Sequence, residues 1–154
     1  MNIVFFGSPA TAIVPLKALK DAGHRITLIV TQPDRPSGRG KRLTLSPVKK
    51  FALKHNITVF QPNRIRKDPL AIEKLQAAAP DLNIVVAYGQ FLQDSIIYFP
   101  RYHSLNIHYS LLPKYRGASP VQWAILNGEK STGITIFELN AKMDEGLILA
   151  QKES

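Results

Sequence analysis

Short strand-like apolar runs alternate with helix-length amphipathic segments along the whole chain, and no other feature restricts the fold so tightly. Asn2 to Phe6 reads as a buried strand, and Gly7-Ser8-Pro9 as a tight turn into a helix from about Ala10 to Ala22. Ile13, Leu16, Ala18 and Leu19 give that helix its apolar face, and Gly23 stops it. Pro15 is tolerable because it falls near the first turn, where the missing N–H matters least. Arg25 to Thr31 is a second strand, and Ser46-Pro47 forms an N-cap and N1 pair for a helix ending near His55. Thr58 to Phe60 is a third strand, and Asp68-Pro69 repeats the cap signal for a helix to Ala79, halted by Pro80. Leu82 to Ala87 and His103 to His108 follow as strands, then a helix from Pro120 to Leu126 closed by Asn127-Gly128. Thr132 to Leu139 and Gly146 to Gln151 are the last strands. This order predicts an α/β fold: a doubly wound, mostly parallel sheet with helices on both faces. Ligands in such sheets bind in the crevice beyond the carboxyl ends of the strands.

A chain of 154 residues is one domain by length and can bury an ordinary core. With 45% hydrophobic and 20% charged residues it has globular composition. Its longest apolar runs, such as Ile26 to Val30, are too short to span a bilayer, and it opens on a strand rather than a signal peptide. No cysteine is present, which excludes disulfides and thiolate catalysis and fits a cytoplasmic protein. The formal net charge of +9 favours polyanionic partners, nucleic acid first.

Chemistry concentrates at the end of the fifth strand. Asn106 and His108 are two residues apart, so both point to one face where the strand runs into a loop. They combine a neutral hydrogen-bond donor with a group that titrates near neutral pH, a kit suited to a carbonyl carbon. His24, His55 and His103 lie near element boundaries without obvious partners and read as surface or structural residues. No metal-ligand spacing occurs, and no metal site is expected. Gly7-Ser8-Pro9 lacks the glycines of the dinucleotide fingerprint, which argues against a nicotinamide cofactor. Asp144 has two readings: a turn carboxylate making Asx-type bonds, or an opposite charge facing His108 across the crevice.

The segment Gln32 to Arg42 has two prolines and two glycines and reads as an exposed loop without regular structure. It carries Arg35, Arg39, Lys41 and Arg42 against the single carboxylate of Asp34, with Lys49 and Lys50 on the following helix. Contact with a phosphate backbone is the preferred reading; no aromatic interleaves the charges, so base stacking is not indicated.

Together these stretches resemble the folate-dependent formyltransferases, and within them the branch that acts on methionyl-tRNA. The resemblance runs over essentially the whole chain. Its carriers are Val4 to Pro9, Thr31 to Lys41, Ser46 to Lys49, Val86 to Gly89 and Asn106-x-His108 with Ser110-Leu111-Leu112-Pro113 and Tyr115-Arg116-Gly117. Pro120 to Gln122, Gly133 to Ile136 and Met143-Asp144 continue it. It implies that Asn106, His108 and Asp144 are a catalytic triad acting on a tetrahedral intermediate. The formyl group would pass from N10 of 10-formyltetrahydrofolate to the α-amine of methionyl initiator tRNA. It further implies a folate pocket at Ala87, Tyr88, Gly89, Gln90, Phe91, Leu92 and Asn140. The tRNA would be contacted by Arg35, Arg39, Lys41 and Arg42, with Ser110 to Pro113, Arg116 and Gly117 shaping the catalytic loop. No metal is implied, and a monomer is expected.

The chain departs from the pattern at Asn140, Lys142 and Leu147, all on the folate side. The family's catalytic domain runs further and is followed by a C-terminal barrel, so the resemblance implies an incomplete domain with weak folate binding and little tRNA formylation. Two rivals remain at this stage. One is a formyltransferase acting on an amino-sugar nucleotide or glycinamide ribonucleotide; the other is an inactive tRNA-binding fragment.

Overall fold

The computed structural model describes residues 1–37 and 42–153. Seven strands form the main sheet: β1 (Asn2–Gly7), β2 (Arg25–Val30), β5 (Val59–Phe60), β6 (Leu82–Val86), β7 (Ser104–His108), β8 (Gly133–Glu138) and β9 (Ile148–Glu153). A separate ribbon pairs β3 (Arg35–Ser37) with β4 (Arg42–Thr44). Helices α1 (Ile13–Asp21), α2 (Pro47–Lys54), α3 (Ala71–Ala78), α4 (Asp94–Ile97) and α5 (Pro120–Leu126) lie between them. The sheet order is β5-β2-β1-β6-β7-β8-β9. The strands from β5 to β7 are parallel, and β8 and β9 add an antiparallel edge. The doubly wound, mostly parallel sheet expected from the alternation is therefore present.

Strand order reverses beside β1: the chain steps outward to β2 and β5, then returns to β6 on the other flank. A crevice opens at such a switch point beyond the carboxyl ends of the strands. Here those ends are Gly7 and Val86, which face each other in register. A Cβ on Gly7 would lie 2.9 Å from the Val86 carbonyl oxygen, so only glycine lets the two ends close this tightly.

The sheet buries both faces. Ile3, Phe5, Ile29 and Ile84 pack with Ala12, Leu16, Val48 and Ala52 beneath α1 and α2. Val4, Phe6, Leu28, Val30 and Val85 pack on the opposite face with Ala71, Leu75, Tyr88 and Ile96. Near-continuous apolar strands suit this double burial, because a parallel sheet is covered on both sides. All six residues of β9, at the sheet edge, are exposed.

Several local expectations change. The segment Gln32 to Arg42 is not wholly irregular: Arg35, Pro36 and Ser37 pair with Thr44, Leu43 and Arg42. Proline is accommodated because a two-stranded ribbon leaves an outer side without ladder bonds. Arg39 and Lys41 lie outside the described residues. Ser46 caps α2 as expected, accepting from the Lys49 amide at 3.0 Å. Asp68 does not cap α3, which starts later; its carboxylate accepts from Leu70 N in an Asx-type turn. The first turn of the expected 10–22 helix is 3₁₀, and Pro15 sits at the third residue of α1. Helix α4 carried too short a pattern to be anticipated. His103 has a partner after all: its Nδ1 lies 2.7 Å from the Glu138 carboxylate, and its ring stands edge-on to Tyr98.

Candidate active site

Strand β7 emerges from the sheet with Asn106 and His108 on one face, and its antiparallel neighbour β8 places Phe137 opposite Asn106 and Thr135 opposite His108. His108 is buried, and its Nε2 donates to the Tyr115 carbonyl at 2.9 Å. That bond holds the proton on Nε2 and turns Nδ1 toward Asp144, whose Oδ2 lies 3.8 Å away. Both side chains are close to fully buried, at 7% and 11% exposure. The separation is too long for a direct hydrogen bond. An oxygen atom about 2.8 Å from both would subtend an angle of about 85°, so a water donating one hydrogen to each could bridge them.

Asp144 sits in the β8–β9 connection with a left-handed backbone (φ 51°). Its Oδ2 accepts from the Gly117 amide at 2.7 Å, a contact 27 residues away in sequence. The Asx-type bond expected of a turn carboxylate belongs instead to Asn140, whose Oδ1 accepts from Lys142 N at 2.9 Å. The sharp return that brings Asp144 back requires Gly146, where a Cβ would lie 1.6 Å from the Glu138 carbonyl oxygen. Asn106 is partly buried, and its carboxamide has no protein partner among the described residues. It is therefore free to donate into the crevice.

The loop after His108 is held by a residue the sequence reading passed over. Thr135, fully buried, donates to the Ser110 carbonyl (2.7 Å) and accepts from the Leu112 amide (3.1 Å). Gln151 on β9 donates to Thr135 Oγ1 and to the Leu112 carbonyl, each at 2.9 Å. Ser110 Oγ donates to the Lys114 carbonyl at 2.6 Å, and the Leu112–Pro113 peptide is cis. Arg116 pairs with Glu145 at 2.9 Å, a second link from this loop to the one bearing Asp144. The signal for Thr135 was present: it is the polar member of an inward-facing alternation in Gly133 to Phe137. Tyr115 had no signal, because only its backbone carbonyl acts on His108.

The segment from Ala87 to Leu92 leaves β6 at the switch point with Ala87 and Gly89 both at positive φ and exposed. Tyr88 points the other way, with its ring in the core against Phe6 at 5.5 Å. Its hydroxyl has no partner among the described residues, and burial pushes its pKa up. Gln90 braces the segment: its Oε1 accepts from Ile65 N (2.8 Å), and its Nε2 donates to the Pro62 and Asn63 carbonyls (3.3 Å each). Gln32 Nε2 donates to the Tyr88 carbonyl at 3.0 Å. Only Phe91, 60% exposed, offers a large free side chain from this stretch. The segment can therefore hold a ligand chiefly through backbone groups.

At the ribbon's base, Asp34 is paired with Lys49 and also accepts from Gln61 Nε2 at 2.9 Å. Those bonds, Lys49 first, hold the Asp34 carboxyl below the usual carboxylate range. Asp34 is thus paired with Lys49 and not with Arg35.

The chain is 49% identical over 154 residues to a methionyl-tRNA formyltransferase of Thermosynechococcus vestitus and 50% identical over 153 residues to one of Clostridium novyi. Each match covers 99% of this chain but only 46% and 49% of the relative, so the chain spans about half the length of the curated relatives it matches. A phosphoribosylglycinamide formyltransferase structure from Bacillus halodurans superposes with a TM-score of 0.78 at 23% identity, covering 99% of this chain and 78% of that one. A formyltetrahydrofolate deformylase structure from Pseudomonas syringae gives 0.73 at 19% identity, covering 99% and 50%. These two show the shared fold. The family model described as formyl transferase matches residues 1–154, and the chain belongs to that family.

Proposed function

We propose that this chain is the formyl-transferring part of an enzyme that moves a formyl group from N10 of 10-formyltetrahydrofolate to the α-amine of methionyl initiator tRNA. The observation that carries the proposal is the buried His108–Asp144 pair at the mouth of β7, beside the carboxamide of Asn106, which has no protein partner among the described residues. In this reading the amine nitrogen attacks the formyl carbon, and the carbonyl oxygen becomes an oxyanion. Asn106 donates a hydrogen bond to that oxygen, with no competing acceptor among the described residues. His108 works through Nδ1, since its Nε2 proton is committed to Tyr115. Asp144, on the far side of Nδ1, orients the imidazole and receives the proton lost by the amine, directly or through one water. Collapse breaks the bond from the formyl carbon to N10, and N10 takes up a proton. The 3.8 Å gap suits this role, because hydrogen bonds of this kind shorten when substrate closes the site.

Backbone groups of Ala87 and Gly89, with the segment from Asn140 to Asp144, would hold the folate pterin. Exposed Arg35 and the basic sequence that follows it favour tRNA over a small nucleotide acceptor, and the high identity to proteins named methionyl-tRNA formyltransferase points the same way. The test is His108→Ala, assayed for formylation of methionyl initiator tRNA and for tRNA affinity. We expect formylation to fall by about 10²–10³ or more while affinity is kept. Formylation at the wild-type rate would refute the assignment of His108.

A further inference from the structure

Arg64, Arg66 and Lys67 place three cations within residues 64–67, in the connection between β5 and α3. All three are exposed, while Ile65 between them is buried. Among the described residues none of the three has a carboxylate within ion-pair distance. Gly38 to Lys41 contain no carboxylate either.

A run of charge is ordinarily just a solvated face, but two observations set this one apart. The backbone that carries it is held: Gln90 bonds Ile65 N and the Pro62 and Asn63 carbonyls, and Lys67 N closes a 3₁₀ turn on Arg64 O at 2.9 Å. Cations displayed from a fixed turn lose little backbone entropy on binding. The turn is also tied to the base of the ribbon. Gln61 donates to the Gln32 carbonyl and to Asp34, each at 2.9 Å, and Asp34 immediately precedes exposed Arg35. Lys49 already pairs with Asp34, so that carboxylate is not left to compensate Arg35 or the cations of the turn.

We propose that Arg64, Arg66 and Lys67 form a second phosphate-binding surface, gripping the sugar–phosphate backbone of the RNA that the ribbon contacts. This rests on the tRNA-directed reading above. Two guanidinium groups suit phosphate oxygens bidentately, and the lysine adds a point charge. Residues 61–68 include no aromatic side chain, so the surface positions RNA without reading bases.

The experiment measures binding of methionyl initiator tRNA against salt for the wild type, for Arg64→Gln/Arg66→Gln/Lys67→Gln and for Arg39→Gln. Each lost phosphate contact lowers the slope of log affinity against log salt by about 0.7–1. We expect the triple variant to lose about 2–3 in slope, with an unchanged melting temperature. Arg64→Lys/Arg66→Lys should keep the wild-type slope. If the triple variant is destabilised, Arg64→Gln and Lys67→Gln alone should each remove about 1. An unchanged slope in the neutralised variants, with weakened binding by Arg39→Gln, overturns this surface and leaves the tRNA reading standing. A wild type with no salt-dependent tRNA affinity overturns both. Loss of affinity only for a polyglutamyl folate would assign the cations to that anionic tail and overturn the RNA proposal.

Discussion

Thr135→Val tests whether the loop after His108 is held by one buried hydroxyl. The substitution keeps shape and exchanges an O–H for a methyl group at a fully buried position. Thr135 Oγ1 serves three partners: the Ser110 carbonyl, the Leu112 amide and Gln151 Nε2. Gln151 keeps its bond to the Leu112 carbonyl, so two backbone groups are left without their partner. A buried polar group left unsatisfied costs about 1–3 kcal/mol, and the gain from one added methyl is about 0.8 kcal/mol. For the two groups together the net loss is about 1–5 kcal/mol, read from urea or guanidinium unfolding with an unchanged m-value. Should the loop open to water at lower cost, the same defect appears as faster amide exchange across residues 110–115. Either way His108 loses the rigid backing that Tyr115 supplies, and formylation falls with it. Thr135→Ser keeps the hydroxyl and should cost only about 1 kcal/mol. A valine variant within about 0.5 kcal/mol of wild type, with amide protection intact, would refute the reasoning.

Asn106→Ala should separate function from stability. Its carboxamide has no partner to orphan among the described residues, so unfolding free energy should move by no more than about 0.5 kcal/mol while formylation falls by about 10²–10³; a parallel loss of stability would show the amide is structural. Asp34 supplies a pH dependence. Its folded carboxyl is depressed by Lys49 and then Gln61, so its contribution is complete above the unfolded value of about 3.9 and is lost as pH falls through the lower folded value. Asp34→Asn should therefore flatten the acid limb of the stability curve below about pH 4, and an NMR titration of the wild-type carboxyl should give a midpoint under that value. A midpoint at or above it would show that Lys49 and Gln61 do not hold the Asp34 carboxylate.

Much of the fold was legible because its determinants are local. Strand and helix periodicities, the Ser46 cap with Pro47 and the stop at Gly23 each depend on neighbouring residues, and each matches an observed element. Weaker signals misled where tertiary pairing prevailed. Pro36 and the glycines suggested irregular chain, yet Arg35 to Ser37 pair with Arg42 to Thr44. Asp68 looked like a helix cap and instead closes a turn ahead of α3. His103 looked unpartnered because Glu138 lies 35 residues away.

The same division runs through the site. Sequence alone determined that Asn106 and His108 share a face, since a strand's period of two allows nothing else. It also determined that they stand at a carboxyl end of the sheet, because alternating strands and helices leave the crevice there. Only the tertiary structure decided what His108 can do. Its Nε2 is taken by a backbone carbonyl of Tyr115, its Nδ1 faces Asp144 from another connection, and Asp144 is aimed by the amide of Gly117. It likewise turned Tyr88 into the core and left the backbone around it for a ligand. These bonds join backbone atoms and residues far apart in the chain. Backbone atoms carry no residue-type signal, and long-range pairings exist only once the sheet has closed.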